Sequence, residues 1–272
     1  MKRVLAFVSV LSFAAPIGAW ASTKTYTVQS FDRVSVAAGV ELKVQIGPPQ
    51  SIVAETDEGD FGDLVIEARG GELFVGRPPR WFSFGWGRGP YYKVTVTVPA
   101  LHGLETSSSA MADVSGPITG NAEVAASSSG RADISEIQGG SVSLAVSSSG
   151  DIEIASLEAS SMEALASSSG HAKVAQLRGG TVEVHASSSG VVEAAGSCAT
   201  LEAEASSSGR ILAGKLECAT LLAQVSSGGG VEGFASKSFE GHASSGGSVT
   251  VGGKPAQVQK DQSSGGVIVI RD

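Results

Sequence analysis

The two cysteines are the residues whose type and spacing point most directly to covalent chemistry, namely oxidation to a disulfide. Cys198 and Cys218 are the only cysteines, and each is followed by Ala-Thr-Leu, 20 residues apart. The shared context indicates equivalent positions in two successive repeats. Equivalent Cα atoms of stacked parallel strands lie about 4.8 Å apart, which a disulfide tolerates. The pair is a disulfide candidate, and the alternative is two small buried thiols; either role is structural.

Carboxylates recur at the same spacing and raise the question of calcium binding or acid–base catalysis. One row contains Asp113, Asp133, Glu153, Lys173 and Glu193, and the other contains Glu123, Ser143, Glu163, Glu183 and Glu202. Calcium takes several oxygen ligands, and paired carboxylates cleave glycosidic bonds. The calcium-binding nonapeptide is absent, and nothing pairs the carboxylates with Arg or His in a cleft. We therefore expect a solvated acidic face, with no catalytic residue and no cofactor.

The histidines are the remaining candidates for metal binding. His102, His171, His185 and His242 are the only four, and none has metal-ligand spacing to another His or to Cys. We expect no metal site.

One aromatic segment, residues 77–92, departs from the composition of the rest. It holds two of the three tryptophans, two of the three tyrosines and three arginines. Its Pro and Gly residues predict a loop. The candidate binding residues are Arg80, Trp81, Phe84, Trp86, Arg88, Tyr91 and Tyr92. Exposed aromatic and arginine side chains suit stacking on a glycan or anchoring a protein partner. The alternative is a lid that covers apolar core.

A strict repeat supplies the elements that must position these residues. Ser-Ser followed by Ser or Gly and then Gly begins at 127, 147, 167, 187, 206, 226, 244 and 263, and residues 107–110 are a degenerate copy. Between the serines, apolar and polar residues alternate, as in Val142, Leu144 and Val146. Alternation of this kind predicts strands with one buried face.

Short strands that recur every 20 residues cannot bury their own apolar faces, so each unit must stack on its neighbours. The prediction is an all-β, single-stranded parallel β-helix, a solenoid with about 20 residues per coil. A propeller or a sandwich is the alternative, but a propeller blade needs about 40 residues.

The serine motif is interpreted as the corner between strands. Ser favours turns, and Gly accepts a positive φ. The middle serines, such as Ser128, Ser148 and Ser168, share parity with the apolar positions. They are expected to point inward and to hydrogen bond to one another from coil to coil. Where Gly replaces the third serine, at Gly228, Gly246 and Gly265, we expect a tighter corner.

The start of the chain has the pattern of a cleavable signal peptide over residues 1–21. Lys2 and Arg3 precede an apolar run, and Ala19-Trp20-Ala21 offers a small-residue cleavage site. The protein is expected to be exported, to the periplasm or the cell surface, without a transmembrane segment. The formal net charge of −8 argues against nucleic-acid binding, and the hydrophobic fraction of 42% argues against disorder.

The order of the motifs resembles a known family. Phe31-Asp32-Arg33-Val34 is followed by a strand pattern over 38–44, by Gly71-Glu72-Leu73-Phe74-Val75, by a stretch over 93–101 and then by the serine coils. From about residue 26 to the end, the chain resembles the bacterial putative auto-transporter adhesin, head GIN domain family. The resemblance implies a right-handed parallel β-helix that is exported and has no characterised activity.

We expect β-strands that begin or cap the solenoid over 22–104 and regular coils over 105–272. The leading hypothesis is a non-catalytic module for adhesion or interaction at the cell surface or envelope, with a glycan or a surface protein as partner. The alternatives are a polysaccharide-acting β-helix enzyme and a structural envelope protein that assembles by end-to-end stacking of the apolar strand over 267–270. The sequence leaves the oligomeric state open.

Overall fold

A computed structural model describes residues 22–57, 60–78 and 90–271. They form an all-β solenoid of about eight turns, with stacked parallel coils of about 20 residues. The predicted parallel β-solenoid is confirmed. No helix in these residues is long and apolar enough to cross a membrane. The signal-peptide prediction over residues 1–21 lies outside the described part.

The first eight strands include the antiparallel pairs found in the described residues. They are β1 (Ser22–Tyr26), β2 (Arg33–Val36), β3 (Glu41–Ile46), β4 (Ser51–Thr56), β5 (Val65–Arg69), β6 (Glu72–Gly76), β7 (Tyr92–Val98) and β8 (Gly103–Thr106). Antiparallel pairing joins β1 to β4, β4 to β7 and β5 to β6. β2 and β3 pair in parallel with the coils that follow.

The remaining strands build the regular coils and pair in parallel. They are β9 (Met111–Thr119), β10 (Ala122–Ala126), β11 (Arg131–Val146), β12 (Asp151–Ala166), β13 (His171–Ala186), β14 (Val191–Ala205), β15 (Arg210–Val225), β16 (Gly230–Ala243), β17 (Ser248–Gly252), β18 (Gln257–Gln262) and β19 (Val267–Ile270). Between β11 and β12 each residue pairs with the one 20 positions later, for example Asp133 with Glu153.

This register stacks the apolar positions into continuous columns that form the core. One column contains Ala122, Val142, Met162, Val182, Leu201, Leu221 and Phe239, all buried. Each coil thus covers the apolar face of the coil below it. Removing apolar surface from water stabilises the fold by about 25 cal/mol per Å² buried. No single coil could bury its own face, so the stack is the unit of stability.

The corner serines do not point inward as expected. Ser128 and Ser129 are exposed, with φ of 49° and 62°, and the Gly130 amide donates a 2.7 Å hydrogen bond to the Ser127 carbonyl. Two successive left-handed residues interrupt the strand alternation, so both side chains face solvent. The link between corners runs through the main chain, where the Ser129 amide donates to the Ser148 carbonyl at 3.1 Å.

The last glycine of the motif is required by close approach to the coil below. Gly150 is not among the residues with positive φ, and a Cβ on it would lie 2.3 Å from the Ala126 carbonyl oxygen. The expected tighter corner in the last coils is wrong as well. Gly228 has φ of 71°, close to the 62° of Ser129. Glycine therefore supplies the same conformation without the steric cost that a side chain brings there.

At the inward positions of β18 the final coil carries two polar side chains and one apolar side chain. Val258, Lys260 and Gln262 of β18 are the register partners of Phe239, Gly241 and Ala243, which are buried. All six residues of β18 are exposed, because no strand among the described residues pairs with its outer edge. The Gln262 side chain accepts a 2.8 Å hydrogen bond from the Ile268 amide and so crosses between the last two strands.

Candidate functional site

The aromatic segment connects the end of β6, at Gly76, to the start of β7, at Tyr92. Five of its seven candidate binding residues lie at positions 79–89, outside the described residues. These are Arg80, Trp81, Phe84, Trp86 and Arg88. The structure places the other two, Tyr91 and Tyr92, at the C-terminal foot of the segment.

Tyr92 is a core residue and is removed from the candidate contacts. It begins β7 opposite Thr56 of β4 and has no exposed surface. Its hydroxyl donates to the Asp63 carboxylate and lies 3.1 Å from the Asp60 carbonyl oxygen. Burial, reinforced by the Asp63 hydrogen bond, raises the pKa of Tyr92 well above its ordinary value. The residue therefore fixes the foot of the segment.

Tyr91 is exposed to solvent, and hydrogen bonds hold both its main-chain amide and its hydroxyl. Its side chain is 40% exposed, its hydroxyl donates to the Glu41 carboxylate, and its amide donates to Asp57 Oδ1 at 3.0 Å. Tyr91 directly precedes β7, and the alternation of side chains along an extended backbone accounts for the contrast with the buried Tyr92.

Arg77 joins the two feet of the segment. Its Nη2 donates to the Pro90 carbonyl, and its Cζ lies 4.9 Å from the centre of the Tyr92 ring, a cation–π contact. Its Nε is buried without a hydrogen-bond partner. The two feet of the segment are thus in contact with each other.

An aromatic and cationic layer surrounds this point, and we call it the base cluster: Lys24, Tyr26, Phe61, Arg77 and Tyr92. Phe61 stacks on Tyr92 with ring centres 6.2 Å apart. Lys24 Nζ lies 4.8 Å from the Tyr26 ring centre and 5.9 Å from that of Phe61. The cluster is drawn from β1, the loop before β5 and the ends of β6 and β7. None of these elements belongs to the repeat, which is why the periodicity did not reveal it.

The two cysteines are joined in the structure. Cys198 of β14 and Cys218 of β15 are register partners, with Sγ–Sγ of 1.96 Å and Cα–Cα of 4.5 Å. The bond ties one coil directly to the next. It lies on the regular coils, away from the N-terminal strands that carry the base cluster.

In one of the two carboxylate rows, Asp133 and Glu153 are paired with basic side chains, although no pairing with Arg or His in a cleft was expected. Arg131 contacts Asp133 at 2.7 Å, Asp151 at 2.7 Å and Glu153 at 3.2 Å. Lys173 Nζ lies 2.6 Å from Glu153, and this hydrogen bond lowers the pKa of Glu153. A carboxylate held ionised in this way is a poor general acid. Long side chains reach across coils, which register alone does not predict.

The described residues contain no group of three or more His, Cys, Asp or Glu side chains arranged to hold a metal ion. Their depressions lie on the surface of the sheets. One of about 320 Å³ is lined by Arg33, Gly103, Glu105 and Glu123, among others. Arg33 Nη1 crosses it to Glu123 at 2.6 Å, passing over Gly103.

Comparison with known proteins places the chain in a family. The sequence model described as "Putative auto-transporter adhesin, head GIN domain" matches residues 30–190 and 143–255. The chain belongs to this family. No curated protein matches it. The predicted family resemblance is confirmed, and adhesion is the role that the family description suggests.

Solved structures similar to this head GIN protein share its fold. A "putative adhesin" from Parabacteroides merdae has a TM-score of 0.65 at 16% identity, with 92% of this chain and 96% of that one covered. A "putative lipid binding protein" from Parabacteroides distasonis has 0.61 at 20% identity with the same coverage. A "putative adhesin" from P. distasonis has 0.58 at 17% identity, again over 92% and 96%. At such identities the likeness concerns the fold alone.

Proposed function

We propose that this head GIN protein is a non-catalytic, exported module that attaches to a glycan or to a surface protein through its aromatic segment. The base cluster supports the proposal, because it holds the two feet of the segment together. Aromatic and arginine side chains are the residues that dominate binding hot spots. The proposed contacts are Arg80, Trp81, Phe84, Trp86, Arg88 and Tyr91, and the buried Tyr92 anchors the C-terminal foot of the segment.

Two features of the chain support export. The pattern over residues 1–21 predicts a cleavable signal peptide, and the disulfide of Cys198 and Cys218 suits an oxidising compartment. The mature chain would begin at Ser22, at the first residue of β1. We therefore propose the periplasm or the cell surface as its location.

A glycan array and a cell-attachment assay with the mature chain test the proposal. Replacing Trp81 and Trp86 together by Ala should reduce binding at least tenfold and leave the circular dichroism spectrum unchanged. The matched control replaces Met111 and Leu165, two exposed apolar residues of the regular coils, by Ala. Binding that survives the tryptophan substitutions, or that the control removes equally, would refute the segment as the contact.

The polysaccharide-acting enzyme remains the second hypothesis, and its acid and base would have to come from the carboxylate rows. Arg131 and Lys173 occupy much of one row, which argues against it. A screen for reducing ends released from polysaccharides decides the question. Release that disappears in Glu163→Gln or Glu183→Gln variants would favour the enzyme.

End-to-end assembly is the third hypothesis, and the final coil argues against it. A second coil stacked on β18 would have to cover the Lys260 side chain at an inward position. Inward-pointing charges are a device by which sheet edges avoid further pairing. Light scattering over a range of concentrations tests the hypothesis, since assembly predicts rods that lengthen with concentration.

A further inference from the structure

All four histidines share one arrangement that the proposed function does not use. In each, Nδ1 lies within hydrogen-bond distance of a carboxylate on an adjacent coil. The pairs are His102 with Asp32 at 3.2 Å, His171 with Asp151 at 3.1 Å, His185 with Glu204 at 3.1 Å and His242 with Asp261 at 3.0 Å. The last three pairs are direct register partners in the parallel sheet.

Two of the histidines lie between two carboxylates. His171 Nε2 is 3.5 Å from Glu193, and His185 Nε2 is 2.9 Å from Glu183. A neutral imidazole can donate from only one ring nitrogen, whereas the protonated ring donates from both. The second contact is therefore fully satisfied only after protonation.

The charges around His185 favour its protonated form. Glu183 lies on its own strand, Glu204 lies on the next coil, and Leu165 and Glu163 occupy the coil below. No basic side chain is among these neighbours. His171 faces Asp151 and Glu193, but Arg131 also binds Asp151, and Lys173 lies two residues along its strand. His171 is thus surrounded by both acidic and basic side chains.

The other two histidines each have one carboxylate partner and mixed surroundings. His242 faces Asp261 on β18 and Gln224 on β15, with Glu240 on its own strand and Lys260 beside Asp261. His102 faces Asp32, whose neighbour Arg33 is bound to Glu123.

We propose that His185 acts as a proton-operated clasp between adjacent coils, so that mild acid strengthens the stacking of the solenoid. Protonation turns its contacts with Glu183 and Glu204 into ion pairs, and the contact with Glu204 joins two coils. It also reduces the negative charge of an acidic protein. Because each coil is held mainly by its neighbours, a gain at these contacts stabilises the whole stack.

The direction of the pH dependence follows from His185. Partial burial lowers its pKa, but the hydrogen bond to Glu183 and the charge of Glu204 outweigh this effect, and the pKa is raised. A raised pKa gives stability that is fully present below the unfolded-state value of about 6.5 and is lost as the pH rises through the folded-state value. Below pH of about 4.5 the carboxylates themselves protonate, so stability should be greatest near pH 5–6.

Thermal unfolding of the mature chain tests the proposal. The midpoint temperature should be about 2–4 °C higher at pH 5.5 than at pH 8. The His185→Gln variant should lose most of that difference. Leu165→Gln, beside His185 on the same face, is the matched control and should keep it. A His185→Gln variant with the full wild-type difference would overturn the proposal.

Titration of the histidine Cε1 protons by NMR gives a readout that needs no variant. In the folded chain, the pKa of His185 should lie above its ordinary value of about 6.5. A value for His185 at or below 6.5 would overturn the proposal even if stability changed with pH. Adhesion plays no part in either measurement, so their outcome is independent of the proposed function.

Discussion

The Arg77 guanidinium lies 4.9 Å from the Tyr92 ring centre and binds the carbonyl of Pro90, so one side chain joins the two feet of the aromatic segment. Tyr92 in turn donates to Asp63 and stacks on Phe61. The two feet of the aromatic segment are thereby held together by packed side chains. Fixing the two ends of a loop reduces the ordering cost that the loop would bring to binding.

The buried Tyr92 hydroxyl should contribute measurably to stability. Tyr92→Phe keeps the ring but removes the donor to Asp63, and should lower the free energy of unfolding by about 1–3 kcal/mol. Tyr91→Phe is the matched control, because its hydroxyl is on an exposed residue and should matter less. Denaturant unfolding of the two variants measures the difference. Equal losses would show that burial does not distinguish the two hydroxyls.

The same substitution should have a small effect on stability at one glycine and a large effect at the adjacent one. Gly228→Ser restores the serine found at the equivalent corners and should change stability by at most about 1 kcal/mol. Gly229→Ser places a Cβ 2.6 Å from the Ala205 carbonyl oxygen and should cost about 1–3 kcal/mol or more. Chemical denaturation compares them. A tolerant Gly229 would mean that the coils can separate at this corner.

The disulfide should stabilise the coils through a loop of 20 residues. Replacing Cys198 and Cys218 together by Ala should lower the free energy of unfolding by about 3 kcal/mol. Reducing agent should lower the melting temperature of the wild type and leave the double variant unchanged. A wild-type protein that is insensitive to reductant would contradict a stabilising role for the bond.

Lys260 should limit association at the last coil. A Lys260→Leu/Gln262→Val variant removes the polar side chains from the inward positions of β18 and should associate as its concentration rises. A Gln257→Leu/Gln259→Leu variant changes the outward positions of the same strand and serves as the control. Light scattering follows both. Association of the control alone would show that outward contacts govern the edge.

The repeat predicts the solenoid because each coil has nearly the same length. Equivalent residues of successive coils therefore lie beside one another, and the apolar ones form continuous columns. The inward serines were predicted wrongly, because parity holds only while the backbone stays extended. Ser128 and Ser129 both adopt positive φ, a conformation more typical of Gly or Asn, and nothing in their residue type announces it.

The base cluster and the Arg131 network escaped prediction for related reasons. Phe61 and Tyr92 stack on each other from two segments that lie outside the repeat, so no periodicity predicts that they are in contact. Arg131 has a side chain long enough to reach Glu153 on the next coil, and its direction is set by neighbouring charges. Register predicts which Cα atoms are close, and it leaves the ends of long side chains undetermined.

Stacking of equal turns makes this architecture a spacer of adjustable length. Each added turn would displace the base cluster about 4.8 Å further from the opposite end, without altering the contacts made within any other turn. Duplication or loss of a single unit therefore changes the length of the solenoid while leaving its N-terminal strands intact. The number of turns alone then sets the distance between the two ends of such a chain.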